Sequence, residues 1–185
     1  AITRELPDAT GVNVSVPGGP FVPQMLRGSL DDVTVTAAEL PSGGLTLHDL
    51  AVDLHSVSTG TPRVAQDLTA TATIPYADLA AKLGGGWTVR PEGSALAASP
   101  SGLAGTTVVV APSVRDGALH LSLQSLTFLG VAVSPSAVPS AVTDRIDALV
   151  SSAAALPLGL RLTQVEVTSR GVVVHAHGSQ VDLTR

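Results

Sequence analysis

The feature that most constrains the fold of this chain is a period-two alternation of apolar and polar residues that repeatedly changes phase. In residues 45–54, the leucines lie at odd positions up to Leu47 and at even positions from Leu50 onward. Because successive side chains of a strand point to opposite faces, such a change turns the apolar face outward unless an extra residue corrects it. The sequence therefore predicts a β-bulge near His48-Asp49.

Two further apolar runs change phase in the same way. They predict bulges or sharp bends near Gln124-Ser125 and near Thr163-Gln164. Long strands that each contain a break indicate a strongly bent, coiled sheet. The turn residues that separate successive runs are typical of antiparallel hairpins: Asp116-Gly117, Arg170-Gly171 and Pro41-Ser42-Gly43-Gly44.

Three segments have a helical pattern instead. Residues 21–26 fit one or two turns that stop at Gly28, and residues 76–83 follow Pro75 and stop at a run of glycines. The third segment, residues 139–155, carries a continuous apolar stripe of Val142, Ile146, Leu149, Val150 and Ala153. It predicts the one long helix of the chain, within residues 135–156.

These patterns together predict an α+β fold in a single domain over residues 1–185. Its architecture would be a strongly bent antiparallel β-sheet wrapped around one long α-helix, with short accessory helices and more strand than helix residues. The low-complexity stretch 92–105 is predicted to be a loop or flap.

Composition limits the possible partners. Hydrophobic residues make up 44% of the chain but aromatic residues only 2%. No apolar run approaches the roughly 20 residues of a membrane helix, so this aliphatic surplus must be buried, covered by a partner or used to line a cavity. A net charge of −5 without any basic cluster argues against nucleic acid and against a polybasic attachment to anionic lipid.

The chain contains no cysteine, which excludes disulfides, thiolate catalysis and Cys-ligated zinc. It begins at Ala1 rather than at Met, so we expect an upstream signal or anchor segment.

Catalytic and metal-binding patterns are weak. His175 and His177 share one face of a strand, but no third ligand is indicated, and two polar residues on a wet face are the simpler interpretation. Serine, histidine and aspartate are plentiful, but no G-x-S-x-G nucleophile elbow occurs, which argues against a Ser-His-Asp hydrolase. Asp31 and Asp32 point to opposite faces of a strand, so they cannot easily share a cation or act as an acid and base pair. The glycines at 84–86 follow a helix instead of preceding one, so the helix N-terminus that favours phosphate binding is missing. We expect no catalytic residue, no metal and no cofactor.

The remaining functional signal is apolar. Most of the aromatic residues and the lone methionine lie in or beside the predicted helices, where an adaptable apolar wall could form. Ordinary core packing explains such a cluster equally well. The candidate residues for lining an apolar cavity are Phe21, Met25, Leu26, Tyr76, Leu79, Leu83, Trp87, Val142, Ile146, Leu149 and Val150.

Two long segments resemble a known family. Residues 12–57 read VNVSVPGGPFVPQMLRGSLDDVTVTAAEL and then GLTLHDLAVDLHSV, and residues 155–178 read ALPLGLRLTQVEVTSRGVVVHAHG. They are similar to the opening and closing segments of the LmeA-like family of actinobacterial phospholipid-binding proteins. The resemblance spans almost the whole chain and implies a tubular lipid-binding-like arrangement, in which a curved sheet wraps a long helix.

The resemblance also implies a function. Such a protein would hold a phospholipid or similar acyl lipid outside the plasma membrane, in the periplasm or cell envelope, in support of envelope lipid or lipoglycan metabolism. It would touch the membrane surface transiently. Two alternatives remain open from the residues alone: a structural or adhesive envelope β-domain with a packed, ligand-free interior, and an enzyme that acts on a lipid or glycan through dispersed His and Asp residues.

Overall fold

The computed structural model describes residues 9–17, 21–84, 86–133 and 159–183. Strands predominate over helices in these residues, as the alternation predicts. In chain order the elements are β1 (Asn13–Ser15), α1 (Phe21–Arg27), β2 (Ser29–Ser42), β3 (Leu45–Ser58), β4 (Val64–Pro75), α2 (Tyr76–Leu83), β5 (Trp87–Glu92), β6 (Ala95–Pro100), β7 (Thr107–Arg115), β8 (Ala118–Phe128), β9 (Val131–Val133), β10 (Arg161–Val167) and β11 (Gly171–Asp182).

The strands form two antiparallel sheets. A six-stranded sheet has the order β1-β2-β3-β4-β11-β10, and a five-stranded sheet has the order β5-β6-β7-β8-β9. β2 and β3 form a long hairpin that pairs from Ser29 with Ser58 to Ser42 with Leu45. β11 pairs with β4 from Gly171, opposite Pro75, to Asp182, opposite Val64. The last strand therefore pairs with a strand from the first half of the chain.

The predicted fold class is wrong. The described residues form two antiparallel sheets and two short helices, and not an α+β fold with one sheet around one long helix. The segment predicted to be that helix, residues 139–155, lies outside the described residues. Alternation shows that a strand has an apolar face, but it does not show which element covers that face. The sequence predicts a helix as the cover of the apolar face, whereas the second sheet covers part of that face.

All three predicted bulges are present. The register shifts between His48 and Ala51 in the β3–β4 ladder, between Val109 and Val110 opposite β8, and between Leu162 and Gln164 in the β10–β11 ladder. At the first bulge Asp49 has a φ of 50°, a left-handed conformation that a short polar side chain tolerates better than most. The phase of the hydrophobic pattern therefore locates these irregularities to within about two residues.

The local predictions for the two short helices and for the β7–β8 turn are also confirmed, but one other local prediction is wrong. α1 stops before Gly28 and α2 stops at Gly84, and Asp116-Gly117 forms the turn between β7 and β8. The exception is the stretch 92–105, which contains the strand β6 with buried residues Ala95 to Ala97. Small side chains fit a strand that lies between two others, as β6 does between β5 and β7. A segment rich in alanine, serine and glycine has the composition of a loop, and the prediction is wrong for this reason. No helix in the described ranges is long and apolar enough to cross a membrane.

The six-stranded sheet has one wet face and one apolar face. On the wet face, the Thr34 hydroxyl donates to Asp53 Oδ1 over 2.7 Å, and Thr71 Oγ1 lies 3.2 Å from His175 Nδ1. The apolar face includes buried side chains such as Leu54 and Leu68. This division follows the alternation of the strands directly.

One apolar cluster is shared by the two sheets and is called the shared cluster below. Its buried members are Leu96, Val108, Val110 and Leu126 from the five-stranded sheet and Val172 from β11. A backbone hydrogen bond of 2.9 Å from Leu162 N–H to Gly117 O also joins β10 to the β7–β8 turn. The five-stranded sheet therefore covers the β10–β11 end of the six-stranded one.

The left-handed conformation at the first bulge predicts a specific pattern of stability. Asp49→Gly should leave the free energy of unfolding within about 0.5 kcal/mol of the wild-type value, because glycine adopts positive φ freely. Asp49→Val should lower it by about 1–2 kcal/mol, since a β-branched residue is strained there. Urea unfolding followed by circular dichroism measures both. Asp49 is exposed, so lost packing does not contribute. Equal stability of the two variants would contradict the assigned conformation.

Candidate functional site

Tyr76 anchors the start of α2 to the six-stranded sheet. Its hydroxyl donates a hydrogen bond to the carbonyl oxygen of Thr168 in the β10–β11 turn, and it lies 3.4 Å from the carbonyl oxygen of Gly171. Burial raises the pKa of the Tyr76 phenol above its ordinary value, because the ionised form would lose hydration. The hydroxyl therefore remains a protonated donor at neutral pH and keeps the helix attached to this turn.

Two further side chains attach α2 to the β2–β3 hairpin. Lys82 Nζ donates to the carbonyl oxygen of Gly43 over 2.7 Å, and Asp78 Oδ2 lies 3.5 Å from His48 Nε2 beside the first bulge. The same Asp78 oxygen is buried and makes no hydrogen bond to any described residue, so its contact with His48 is an ion pair only when the imidazole is protonated. With Tyr76, these contacts hold α2 in a fixed position.

An open groove of about 450 Å³ lies between α2 and the start of β5. Its volume is within the range of roughly 300–1,000 Å³ that is usual for small-molecule sites. The lining residues are Tyr76, Ala77, Ala80, Ala81, Gly84, Gly86, Trp87, Thr88 and Val89. Small residues of the helix form one wall and Trp87 and Val89 form the other, so most of the exposed lining is apolar.

The groove lies directly over the shared cluster. Four half-buried residues at the groove, Tyr76, Leu79, Trp87 and Val89, pack against that cluster. None of the lining residues carries a carboxylate, an imidazole or an ammonium group. The lining can remove an alkyl chain from water, but it does not supply the acid and base pair that hydrolysis uses.

The structure brings together part of the predicted site. Tyr76 and Trp87 line the groove, Leu79 contacts the cluster beneath it, and Leu83 is half-buried at the end of α2. Four candidates, Val142, Ile146, Leu149 and Val150, lie outside the described residues. Their place in a cavity wall stays a prediction.

The candidates on α1 lie elsewhere. Gly28, just after α1, accepts a backbone hydrogen bond from Thr59 at one end of β3, whereas α2 contacts Gly43 at the other end. A strand of 14 residues separates these ends by on the order of 40 Å. The helix α1, which contains Phe21, Met25 and Leu26, therefore lies far from Tyr76 and Trp87, and Leu26 is 85% exposed.

Sequence reasoning missed the alanine side of the groove. Ala77, Ala80, Ala81 and Gly84 follow the i, i+3, i+4, i+7 spacing of one helix face. The signal was present, but small residues were not counted as lining because they contribute little apolar area each. A stripe of small side chains is nevertheless what lets a ligand approach a helix closely.

The paired histidines on β11 lie on the wet face of the six-stranded sheet. His175 contacts Thr71 as described above, and His177 Nε2 lies 3.4 Å from Asp67 Oδ1. Among the residues that the structure describes, no group of three or more His, Cys, Asp or Glu is placed to hold a metal ion. Their contacts are those of polar residues on a solvated sheet.

A comparison with protein families adds an independent finding. A family model described as LmeA-like phospholipid-binding matches residues 1–177 of the chain. The match includes residues 12–57 and nearly all of residues 155–178, and it confirms the resemblance drawn from them. No curated protein and no solved structure gives a significant match.

The anchoring of α2 can be tested with Tyr76→Phe. This change keeps the ring at the groove but removes the donor to Thr168, so the free energy of unfolding should fall by about 1–2 kcal/mol. Urea unfolding provides the measurement. The matched control is Thr88→Val, which removes an exposed hydroxyl from the groove rim and should cost less than about 0.5 kcal/mol. Equal losses in the two variants would show that Tyr76 is not an anchor.

Proposed function

We propose, since the chain belongs to the LmeA-like phospholipid-binding family, that it binds a phospholipid by taking an acyl chain into the groove between α2 and β5. The observation that carries this proposal is the groove itself. It has a volume of about 450 Å³, a mainly apolar lining without carboxylates or imidazoles, and a floor formed by the shared cluster.

The binding energy would come from removing methylene groups from water. Each buried methylene contributes about 0.8 kcal/mol, so a segment of several carbons is held without a charged anchor. The alanine stripe of α2 lets the alkyl chain lie close to the helix, and Trp87 and Val89 contact its other side. The groove is open to solvent, which would leave the glycerol and headgroup of the lipid in water.

We also propose where this binding takes place. The protein would work outside the plasma membrane, in the periplasm or cell envelope of an actinobacterium, and would touch the membrane surface transiently while it supports envelope lipid or lipoglycan metabolism. The family match supports the envelope role. A composition typical of GC-rich genomes, in which Lys82 is the only lysine among ten basic residues, supports the actinobacterial source alone.

Filling the groove should block lipid uptake. Ala81 is an exposed residue of the groove wall, so Ala81→Phe adds a ring to the groove without entering the core. Binding of a short-chain phospholipid, kept below its critical micelle concentration and measured by native mass spectrometry, should weaken at least about tenfold, since the ring replaces two or more methylene contacts. Ser179→Phe, on the wet face of the six-stranded sheet, is the matched control and should bind normally.

The single tryptophan reports directly on the position of the lipid. Trp87 lines the groove, and the chain has no other tryptophan. A phospholipid with a brominated acyl chain should therefore quench its fluorescence in the wild-type protein and in Ser179→Phe, but not in Ala81→Phe. If lipid binds by mass spectrometry without quenching Trp87, the site lies elsewhere. If the wild-type protein binds none, the proposed function is wrong and a ligand-free structural domain becomes the better explanation.

A further inference from the structure

Two adjacent turns form an exposed apolar surface at one end of the five-stranded sheet. One is the loop between β6 and β7, and the other joins β8 to β9. They expose Leu103, Phe128, Leu129 and Val131 by 46%, 44%, 63% and 66%, and these four residues are called the apolar tip. Within the described residues they are four of the eight large hydrophobic side chains that are exposed, and the other four, Val14, Val16, Val22 and Leu26, lie in or beside β1 and α1.

The tip is a fixed arrangement of two turns. Gly130 N–H donates to the carbonyl oxygen of Gly105 over 2.9 Å, which joins the two turns. A Cβ atom on Gly105 would lie 3.0 Å from Gly130 N and 3.3 Å from Leu129 Cα, so only a glycine permits this approach. Phe128 and Val131 face each other across the β8–β9 turn. The apolar side chains are therefore presented together.

The identity of residue 129 is not explained by the fold. Leu129 has a φ of 50° and Gly130 a φ of 79°, the pattern of a tight hairpin turn that favours Asn, Asp or Gly at its first central position. The β7–β8 turn has the same pattern and uses Asp116 there, with a φ of 54°. Leu129 is thus a strained residue, and because it is exposed it gains no packing in return.

The chain segments that carry the tip, residues 93–114 and 117–133, contain no aspartate, glutamate, lysine or arginine, although the chain as a whole has a net charge of −5. Exposed edge strands and turns of water-soluble proteins are normally protected by charged residues. A surface that is apolar and uncharged is suited to the hydrocarbon boundary of a bilayer, where a charge would be costly.

The tip is also continuous with the groove. Ser101, in the same loop as Leu103, donates its backbone N–H to the carbonyl oxygen of Gly86 over 2.8 Å. Gly86 and its neighbour Trp87 both line the groove. A phospholipid surface in contact with the tip would therefore lie beside one end of the groove.

From these observations we propose that the apolar tip inserts into a phospholipid bilayer and places the groove at its surface. This inference rests on the proposed function and adds the docking surface to it. Insertion would reach about 5–10 Å, to the boundary between headgroups and acyl chains. Because the tip carries no charge, docking should not depend on anionic lipid and should persist at high salt.

The test uses a substitution whose effects on folding and on docking have opposite signs. Leu129→Asn places a residue suited to left-handed backbone in the turn, so the melting temperature should stay the same or rise. The same change removes the apolar side chain at the centre of the β8–β9 turn, which is 63% exposed. Partitioning onto phosphatidylcholine vesicles, measured by co-sedimentation at high salt, should fall roughly tenfold or more. Val22→Asn, on α1, changes a residue that is 66% exposed at the opposite end of the six-stranded sheet and should partition like the wild-type protein.

The outcomes separate docking from lipid uptake. Leu129→Asn should still bind the short-chain monomeric phospholipid, since the groove is unchanged. If the wild-type protein takes up that monomer but does not sediment with vesicles, docking by the tip is wrong and the proposed function stands. Vesicle binding that Leu129→Asn weakens, without any monomer uptake, would support the tip as the docking surface and contradict the groove as the lipid site.

Two other outcomes would assign the tip to a different role. If Leu129→Asn sediments like the wild-type protein, or if Val22→Asn is equally impaired, the tip is not the docking surface. If light scattering shows a wild-type dimer that Leu129→Asn dissociates, and vesicles bind neither form, the tip is an interface between two copies of the chain. Either result overturns the inference.

Discussion

The structure depends on how the apolar face of the six-stranded sheet is removed from water. At the end formed by β10 and β11, the five-stranded sheet covers it through the shared cluster, in which Val172 meets Val108, Val110 and Leu126. Each sheet covers apolar side chains of the other, so both sets would be exposed to water without this contact. The groove lies above the same cluster, and α2 is attached to its edge by Tyr76, Asp78 and Lys82. The position of the candidate site therefore depends on the junction between the sheets.

Local sequence patterns predicted the local structure well, and they failed where the answer depended on distant residues. A phase change in an alternating run is a direct record of an extra residue, so His48-Asp49 and the other two bulges could be placed in advance. The partner of an apolar face leaves no such record. The fold class was wrong for this reason, and β6 was missed because its alanines carry almost no strand signal. At the site, large residues such as Trp87 stood out, whereas the alanine stripe at Ala77 and Ala80 did not.

Charge is distributed unevenly between the two sheets. The wet face of the six-stranded sheet holds paired polar side chains, including Asp32 with His55 and Asp67 with His177. In the five-stranded sheet, the strands β6 to β9 contain no Asp, Glu or Lys, and Arg115 is their one strong charge. The proposed insertion of the apolar tip into a bilayer is consistent with this asymmetry. The two sheets thus bury apolar side chains against each other, while their outer surfaces differ in charge.

The pairing of β11 with β4 has a consequence for how the chain is made. Thr71 and His175, which face each other in this ladder, are separated by 104 positions in the sequence. β4 therefore has an unpaired edge during synthesis until the C-terminal strand emerges, and such an edge can pair with another chain. Because a contact of this range also closes slowly, the nascent protein passes through a period in which it is exposed to aggregation.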